Sequence, residues 1–254
     1  MLPALILGIL EGLTEFLPVS STAHLIIAAD LLNLPSSQYW QFFEVFIQAG
    51  AILAVVTLYF KQIFNFKLVT NLLFSFVPTA LIGFGLYKII KSIFFESILL
   101  ISVSLIVFGL IFLLVEKLIK QKKLIINKNL DRLSPKQAVL IGLAQALAVV
   151  PGVSRAGSVM VAGLLLGYKR EQVALYSFLL AVPTILAAAI FDLLKTDWSI
   201  VSTNIGLTLI GFVSAYLSAL VVIKWFINYL QKKNLEIFGY YRIVIGLLIL
   251  WSLL

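Results

Sequence analysis

Four stretches of this chain carry no charged residue over a length that a lipid bilayer would demand: Leu68 to Tyr87, Ser97 to Val115, Gln172 to Phe191 and Trp198 to Ile223. A helix needs about 20 apolar residues to cross the hydrocarbon layer. Inside that layer every backbone polar group must be satisfied within the segment. Repeated runs of this kind leave one fold class, a polytopic α-helical membrane protein. A transmembrane barrel would show short alternating segments instead. Composition agrees, because only 12% of the 254 residues are charged and 62% are hydrophobic, where a soluble domain has about 25% charged residues.

The formal net charge is +8, but this is no sign of nucleic-acid binding. Most Lys and Arg residues sit in short connections between apolar runs, where the positive-inside bias places them. The absence of cysteine excludes disulfides and thiolate metal sites. The first apolar run is interrupted by Glu11 and lacks a basic leader, so it does not read as a cleaved signal peptide.

Pro, Gly and charge punctuation divides the chain into ten expected helical segments: 2–17, 21–33, 40–60, 68–90, 94–118, 135–149, 154–167, 170–194, 203–230 and 238–253. The first and second, and the sixth and seventh, are too short to cross. Each short pair is broken by a Pro-containing turn, LPVSS or VPGVSR. Short interrupted segments at corresponding places are the mark of re-entrant hairpins in proteins built from repeats. Placing GILEGLTEFLPVSS over GLAQALAVVPGVSR puts Gly8 on Gly142, Leu13 on Leu147, Val19 on Val153, Ser20 on Ser154 and Glu11 on Gln145. One segment later Ile52-Leu53-Ala54 resembles Ile185-Leu186-Ala187, one residue out of register.

The architecture expected is an all-α polytopic protein with six spanning helices and two re-entrant hairpins. Residues 1–118 would form the first repeat, 119–134 a basic cytoplasmic linker, and 135–254 the second repeat. With three spans in each half, the repeats would be inverted. Counting Lys and Arg in the connections puts fourteen, from Lys61 to Lys233, on one side, against Lys88, Lys91 and Lys195 on the other. The first side is then cytoplasmic. The first hairpin enters from outside and the second from the cytoplasm, so the two polar turns converge within the membrane.

The scarce reactive groups gather at those turns. Glu11 and Glu15 are four apart and share a helix face. Ionised carboxylates at membrane depth cost about 2.5–3.5 kcal/mol each, unless a cation or a proton joins them. Arg155 in the second turn is one candidate partner, and a hard divalent cation, Mg²⁺ or Ca²⁺, is another. Ser20 or Ser21 can cap the second segment, and Ser154 the seventh. Gly152 with Pro151 makes the second turn. Helix N-termini attract anions, and an arginine fork suits phosphate. His24, the only histidine, projects over the first turn. A serine, a base and a carboxylate fit nucleophilic catalysis; glutamate, serine and metal fit metal-assisted hydrolysis equally.

EGLTEFLPVSSTAHL and PGVSRAGS, with FFEVFIQAGAILAV between them, resemble the signature regions of the bacterial undecaprenyl pyrophosphate phosphatase family, also called bacitracin-resistance proteins. The resemblance spans the whole chain. It implies an integral enzyme of the bacterial cytoplasmic (inner) membrane, its site opening outward, that removes the terminal phosphate of undecaprenyl diphosphate and so recycles the carrier lipid for cell-wall synthesis. It also implies roles at matching positions. Glu11 and Glu15 would be the acidic pair for divalent metal and catalysis. Ser20, Ser21 and His24 would be catalytic, with Ser21 the preferred nucleophile and His24 general acid or base. A water nucleophile activated by Glu15 or His24 is the alternative. Ser154 and Arg155 would bind pyrophosphate, with Gly152, Gln48 and Gln145 in family-like contexts. The chain departs from the family at Ala23, where glycine is usual. At Val153, Ala156 and Val159 the second turn lacks three hydroxyls, leaving Ser158 as the nearby polar substitute. The expected partners are a polyprenyl diphosphate and the bilayer, with a homodimer as the candidate assembly and no nucleic acid.

Two other phosphatase or hydrolase types fit worse: a histidine-nucleophile lipid phosphatase needs a second histidine, and a rhomboid-type protease needs a Gly-x-Ser-Gly turn. The rival from another class is a secondary transporter, or lipid-phosphate flippase, with the same repeats.

Overall fold

The computed structural model describes residues 1–86, 97–194, 196 and 202–253. Among them lie ten α-helices: α1 Leu2–Thr14, α2 Ser21–Leu31, α3 Gln38–Leu58, α4 Phe66–Gly85, α5 Ile98–Lys120, α6 Pro135–Ala146, α7 Arg155–Leu165, α8 Arg170–Leu193, α9 Ile205–Leu230 and α10 Glu236–Trp251. Each expected segment has its helix, the bounds differing by a few residues. Lys88, Lys91, Lys195 and Trp198 lie outside the described residues, as do positions 87–90 of the fourth expected segment and 94–96 of the fifth.

Helices α3, α4, α5, α8 and α9 are long and apolar enough to cross a membrane, with 20 to 26 residues each. The protein is a multi-pass membrane protein. α10, counted from sequence as a sixth span, has 16 residues, about 24 Å at 1.5 Å per residue. The four short helices α1, α2, α6 and α7 have 13, 11, 12 and 11 residues.

Local chemistry sets the helix starts. Ser134 and Gln137 form a reciprocal capping box ahead of α6, with Pro135 in its first turn. Asn65 accepts from Leu68 N at 3.1 Å, and Ser97 from Leu100 N at 3.2 Å, so α4 and α5 open on side-chain caps.

The packing is crossed between the two ends of the chain. α1 lies along α9, where Gly8 leaves no room for a Cβ against the Gly211 carbonyl and Ser214. α6 lies along α4, where Gly142 meets the Ser75 carbonyl and Pro78. α5 pairs with α10, and α3 with both α9 and α8. Small residues at such contacts let helix backbones approach closely. Ser75 donates to Ala138 O at 2.6 Å, tying α4 to α6.

At the basic face, Arg170 grips Glu116 with a two-pronged ion pair, and Glu116 Oε1 also accepts from Leu235 N at 2.9 Å. This fastens the starts of α8 and α10 to the end of α5. The linker beyond α5 is anchored through Lys128, whose backbone N–H donates to Gly167 O and whose carbonyl accepts from Lys169 N, each at 3.0 Å.

Candidate active site

α1 ends at Thr14, and the chain turns through Phe16 to Val19 before Ser20, with φ of 74°, leads into α2. At the other turn Gly152 has φ of 93° and Ser154 has φ of 71°, immediately before α7. Positive φ at a residue with a Cβ is uncommon and needs support from the surroundings. Here one side chain supplies much of it. Arg242 of α10 is fully buried and donates to Pro18 O at 3.0 Å, to Gly152 O at 2.5 Å and to Val153 O at 3.0 Å. Its guanidinium sits over the Phe108 and Phe112 rings, 5.6 and 5.9 Å from their centroids. One cation therefore holds both turns face to face.

Between the turns is a cavity of about 210 Å³ lined by Glu15, Ser20, Ser21, Gln48, Gly152, Ser154 and Arg155. Seven of the residues expected at the site thus share one space. Ser21 Oγ donates to Glu15 Oε2 at 2.5 Å. Arg155 donates through one Nη to Glu15 Oε1 at 2.8 Å and through the other to Ser177 O at 2.7 Å. Its Nε is buried with no partner. Serine, carboxylate and guanidinium form a continuous chain from the first turn to the second.

Four expected residues are placed elsewhere. Glu11 is fully buried one turn behind Glu15, and neither of its carboxylate oxygens has a hydrogen-bond partner. His24 does not line the cavity. Its Nδ1 lies 2.7 Å from Ser20 O, which can only accept, so Nδ1 carries the hydrogen. Nε2 of the neutral ring then accepts from Tyr241 Oη at 2.7 Å. Both ring nitrogens are engaged, and the carboxylate of Glu15, not the imidazole, is the base in contact with Ser21. Ser158 is turned away from the cavity, donating to Arg155 O at 3.0 Å within its own helix. Gln145 donates through Nε2 to Thr79 at 2.9 Å and Thr184 at 3.2 Å. The two expected serine caps also differ. Ser154 Oγ accepts from Gly157 N at 3.1 Å, whereas Ser20 makes no side-chain capping bond.

Sequence reasoning passed over Arg242, Tyr241, Thr22, Thr184 and Glu44. Thr22 and Thr184 line the cavity, and Glu44 of α3 lies within electrostatic reach of Glu11. Arg242 and Glu44 had a legible signal, since ionisable groups inside apolar segments are functional candidates by default. The two threonines and Tyr241 had none.

The fit to a divalent cation rests on Glu11. A buried carboxylate with both oxygens unpartnered, one turn from a second carboxylate, is a hard oxygen donor set suited to Mg²⁺ or Ca²⁺. Among the described residues no three acidic or histidine side chains gather as a metal cage. With two carboxylates, the remaining positions of such an ion would fall to other oxygens, waters included, as Mg²⁺ commonly allows.

A profile of the bacitracin resistance protein BacA family matches residues 4–248. The chain belongs to the BacA family. Curated members resemble it along nearly their full length. The undecaprenyl-diphosphatase of Aquifex aeolicus is 42% identical over 245 residues, covering 96% of this chain and 95% of its own. That of a Sulfurihydrogenibium species is 45% identical over 248 residues, 97% of each chain. That of Campylobacter hominis is 46% identical over 251 residues, 97% of this chain and 96% of its own.

Proposed function

We propose that this BacA-family chain is a membrane phosphatase that hydrolyses undecaprenyl diphosphate to undecaprenyl phosphate and inorganic phosphate. The observation that carries the chemistry is the Ser21–Glu15–Arg155 chain of hydrogen bonds across the two turns, at a cavity large enough for phosphate groups. Glu15 accepts the proton as Ser21 Oγ attacks the terminal phosphorus, and the anhydride oxygen leaves with undecaprenyl phosphate. Water then attacks the phosphoserine, releasing phosphate and restoring the hydroxyl. Arg155 and the N-terminal amides of α2 and α7 bind the diphosphate, and Arg155 stabilises charge on the transferring group. Ser20, with its uncapped hydroxyl, and Gln48 add polar contacts from the first half, and Ser154 and Gly152 shape the second. Glu11 and Glu15 would hold Mg²⁺ or Ca²⁺, which would supply neutralisation of diphosphate charge when bound. His24 fixes the first turn through Ser20 O and Tyr241, as a positioning residue.

The wider architecture belongs to the same proposal: residues 1–118 and 135–254 as inverted repeats joined by the basic linker 119–134, with α10 as the sixth span and α1–α2 and α6–α7 as re-entrant hairpins. Three features support it. Ser20 and Ser154, matched in the alignment, share the same unusual φ. Gly8 and Gly142, also matched, are the close-contact points of α1 and α6. α1 packs on α9 while α6 packs on α4, a reciprocal exchange. The excess of Lys and Arg at one face supports a cytoplasmic-membrane orientation with that face inward and the cavity opening outward. A transporter would need no hydroxyl bonded to a carboxylate, and the relatives' names favour hydrolysis.

The test is phosphate release from undecaprenyl diphosphate by purified protein in detergent, with and without Mg²⁺ or Ca²⁺. Folded Glu15→Ala and Arg155→Ala variants should each lose about 10²- to 10³-fold in rate. Intact, folded protein that releases no phosphate under any metal would sink the phosphatase reading.

A further inference from the structure

Beside the polar cavity lies a second recess of about 440 Å³, with mostly apolar walls to which Thr79, Gln145, Arg155, Thr184 and Asp192 add polar groups. It opens between the C-terminal halves of α4 and α8, the halves remote from Lys67 and from Lys169 and Arg170 at the helix starts. The gap exists because the facing residues are small: Ala80 and Gly83 on α4, Ala187 and Ala188 on α8. A Cβ built on Gly83 would meet nothing within 4 Å. Phe84 and Phe191 flank the recess edge to face, ring centroids 6.5 Å apart.

Two observations give the recess a direction. Ala148, Thr184, Ala188 and Arg155 line both spaces, so the apolar recess adjoins the polar cavity at the guanidinium. Gln145 lies at that junction. Its Nε2 bridges Thr79 of α4 to Thr184 of α8, each of which follows a proline within its helix. Its Oε1 is buried without a partner. A space with an arginine where it adjoins the polar cavity and mostly apolar walls between two membrane-spanning helices suits a molecule with an anionic head and an apolar tail. Its volume is that of a ligand pocket and far short of a whole polyprenyl chain.

We propose that the α4–α8 recess seats the first isoprenoid units of the lipid diphosphate and is the lateral route by which the head group reaches Arg155. This rests on the phosphatase reading above. The remaining tail lies in the bilayer, so the protein recognises the head and its nearest units only.

The experiment has two arms. In the first, Gly83→Trp fills the recess, and Gly206→Trp serves as the control, because a Cβ at Gly206 also meets open space but lies outside the recess. Wild type should release phosphate from undecaprenyl diphosphate. Gly83→Trp should raise KM at least 10-fold with kcat within about 2-fold, and Gly206→Trp should leave both unchanged. In the second arm, unaltered protein is photolysed with a polyprenyl diphosphate carrying a diazirine in its first isoprene unit. Labelling should fall on residues 76–84 and 184–192. Wild-type phosphate release with labels elsewhere, or with KM unmoved in a folded Gly83→Trp, would overturn the recess and leave the phosphatase standing. Equal labelling of the recess by a diazirine phospholipid would assign it to bulk lipid and overturn the proposal. An absence of phosphate release from wild type would overturn the reading beneath it.

Discussion

The two polar turns share a backbone but not a chemistry. Ser20 and Ser154 have φ of 74° and 71°, and each stands immediately before a short helix. In the second turn the hydroxyls are engaged, Ser154 capping α7 and Ser158 bonding its own helix, and Gln145 Nε2 joins α4 to α8, while Gln145 Oε1 and Arg155 Nε are buried without partners. In the first turn it is a carboxylate that is left open. Ser20 caps nothing, Ser21 is bonded to a carboxylate, and Glu11 at the position matching Gln145 has both oxygens buried without partners. Unsatisfied buried groups are costly, and each half keeps its own kind, acidic oxygens in the first and an amide oxygen with guanidinium nitrogens in the second. In the proposed mechanism the second turn holds shape and presents Arg155, and the first supplies the nucleophile and its base.

That contrast can be broken most severely at the matched serine region. Ser21→Ala should lose at least about 10³-fold in phosphate release, as expected of a nucleophile. Ser154→Ala should remain active and lose about 1 kcal/mol of stability, the cost of a helix cap. Similar activity losses in both variants would mean that the halves are chemically equivalent. Glu11→Gln makes the first half resemble the second. Release should fall about 100-fold, within the range of charged catalytic groups, while the thermal midpoint holds or rises because a buried carboxyl without hydrogen-bond partners has become a neutral amide. A falling midpoint with full activity would reverse the assignment.

Arg242→Met strikes the tie between the halves. Three carbonyl contacts are removed, and at about 1 kcal/mol or more for each unmet buried group a loss of about 3 kcal/mol is expected, read as a lower midpoint in detergent. The smallest effect is expected at Tyr241→Phe, which removes one partner of His24. Activity should change less than about 5-fold, in keeping with a positioning role. A fall beyond 100-fold in this variant would bring the imidazole into the reaction.

Much of this was written locally in the chain. Charge-free runs, prolines and capping serines mark all ten helices, and the Pro–Ser turns identify which short segments pair. Most of the cavity's residues, from Glu15 and Ser21 to Arg155, lie in or beside those turns, so their composition announces them, whereas Gln48 and Thr184 come from α3 and α8. What escaped depends on partners distant in sequence. Nothing near His24 indicates that Tyr241 will take its ring, 217 residues away. Ser158 has the polarity of a ligand contact, but the helical rotation of α7 returns its hydroxyl to the Arg155 carbonyl. The α4–α8 recess is an absence of side-chain volume at Ala80, Gly83, Ala187 and Ala188, which reads in sequence as ordinary helix-packing residues.

Arg242 has a consequence for how the protein is made. It bonds the carbonyl of Pro18, 224 residues earlier in the chain. The first turn leaves the ribosome and enters the membrane long before the side chain that will clamp it exists. Until α10 has been synthesised and inserted against α5, the two half-sites lack the buried cation that ties their backbones together and have the Arg155–Glu15 pair to join them. The site therefore passes through biogenesis without its backbone clamp, and gains it only as the last helix seats.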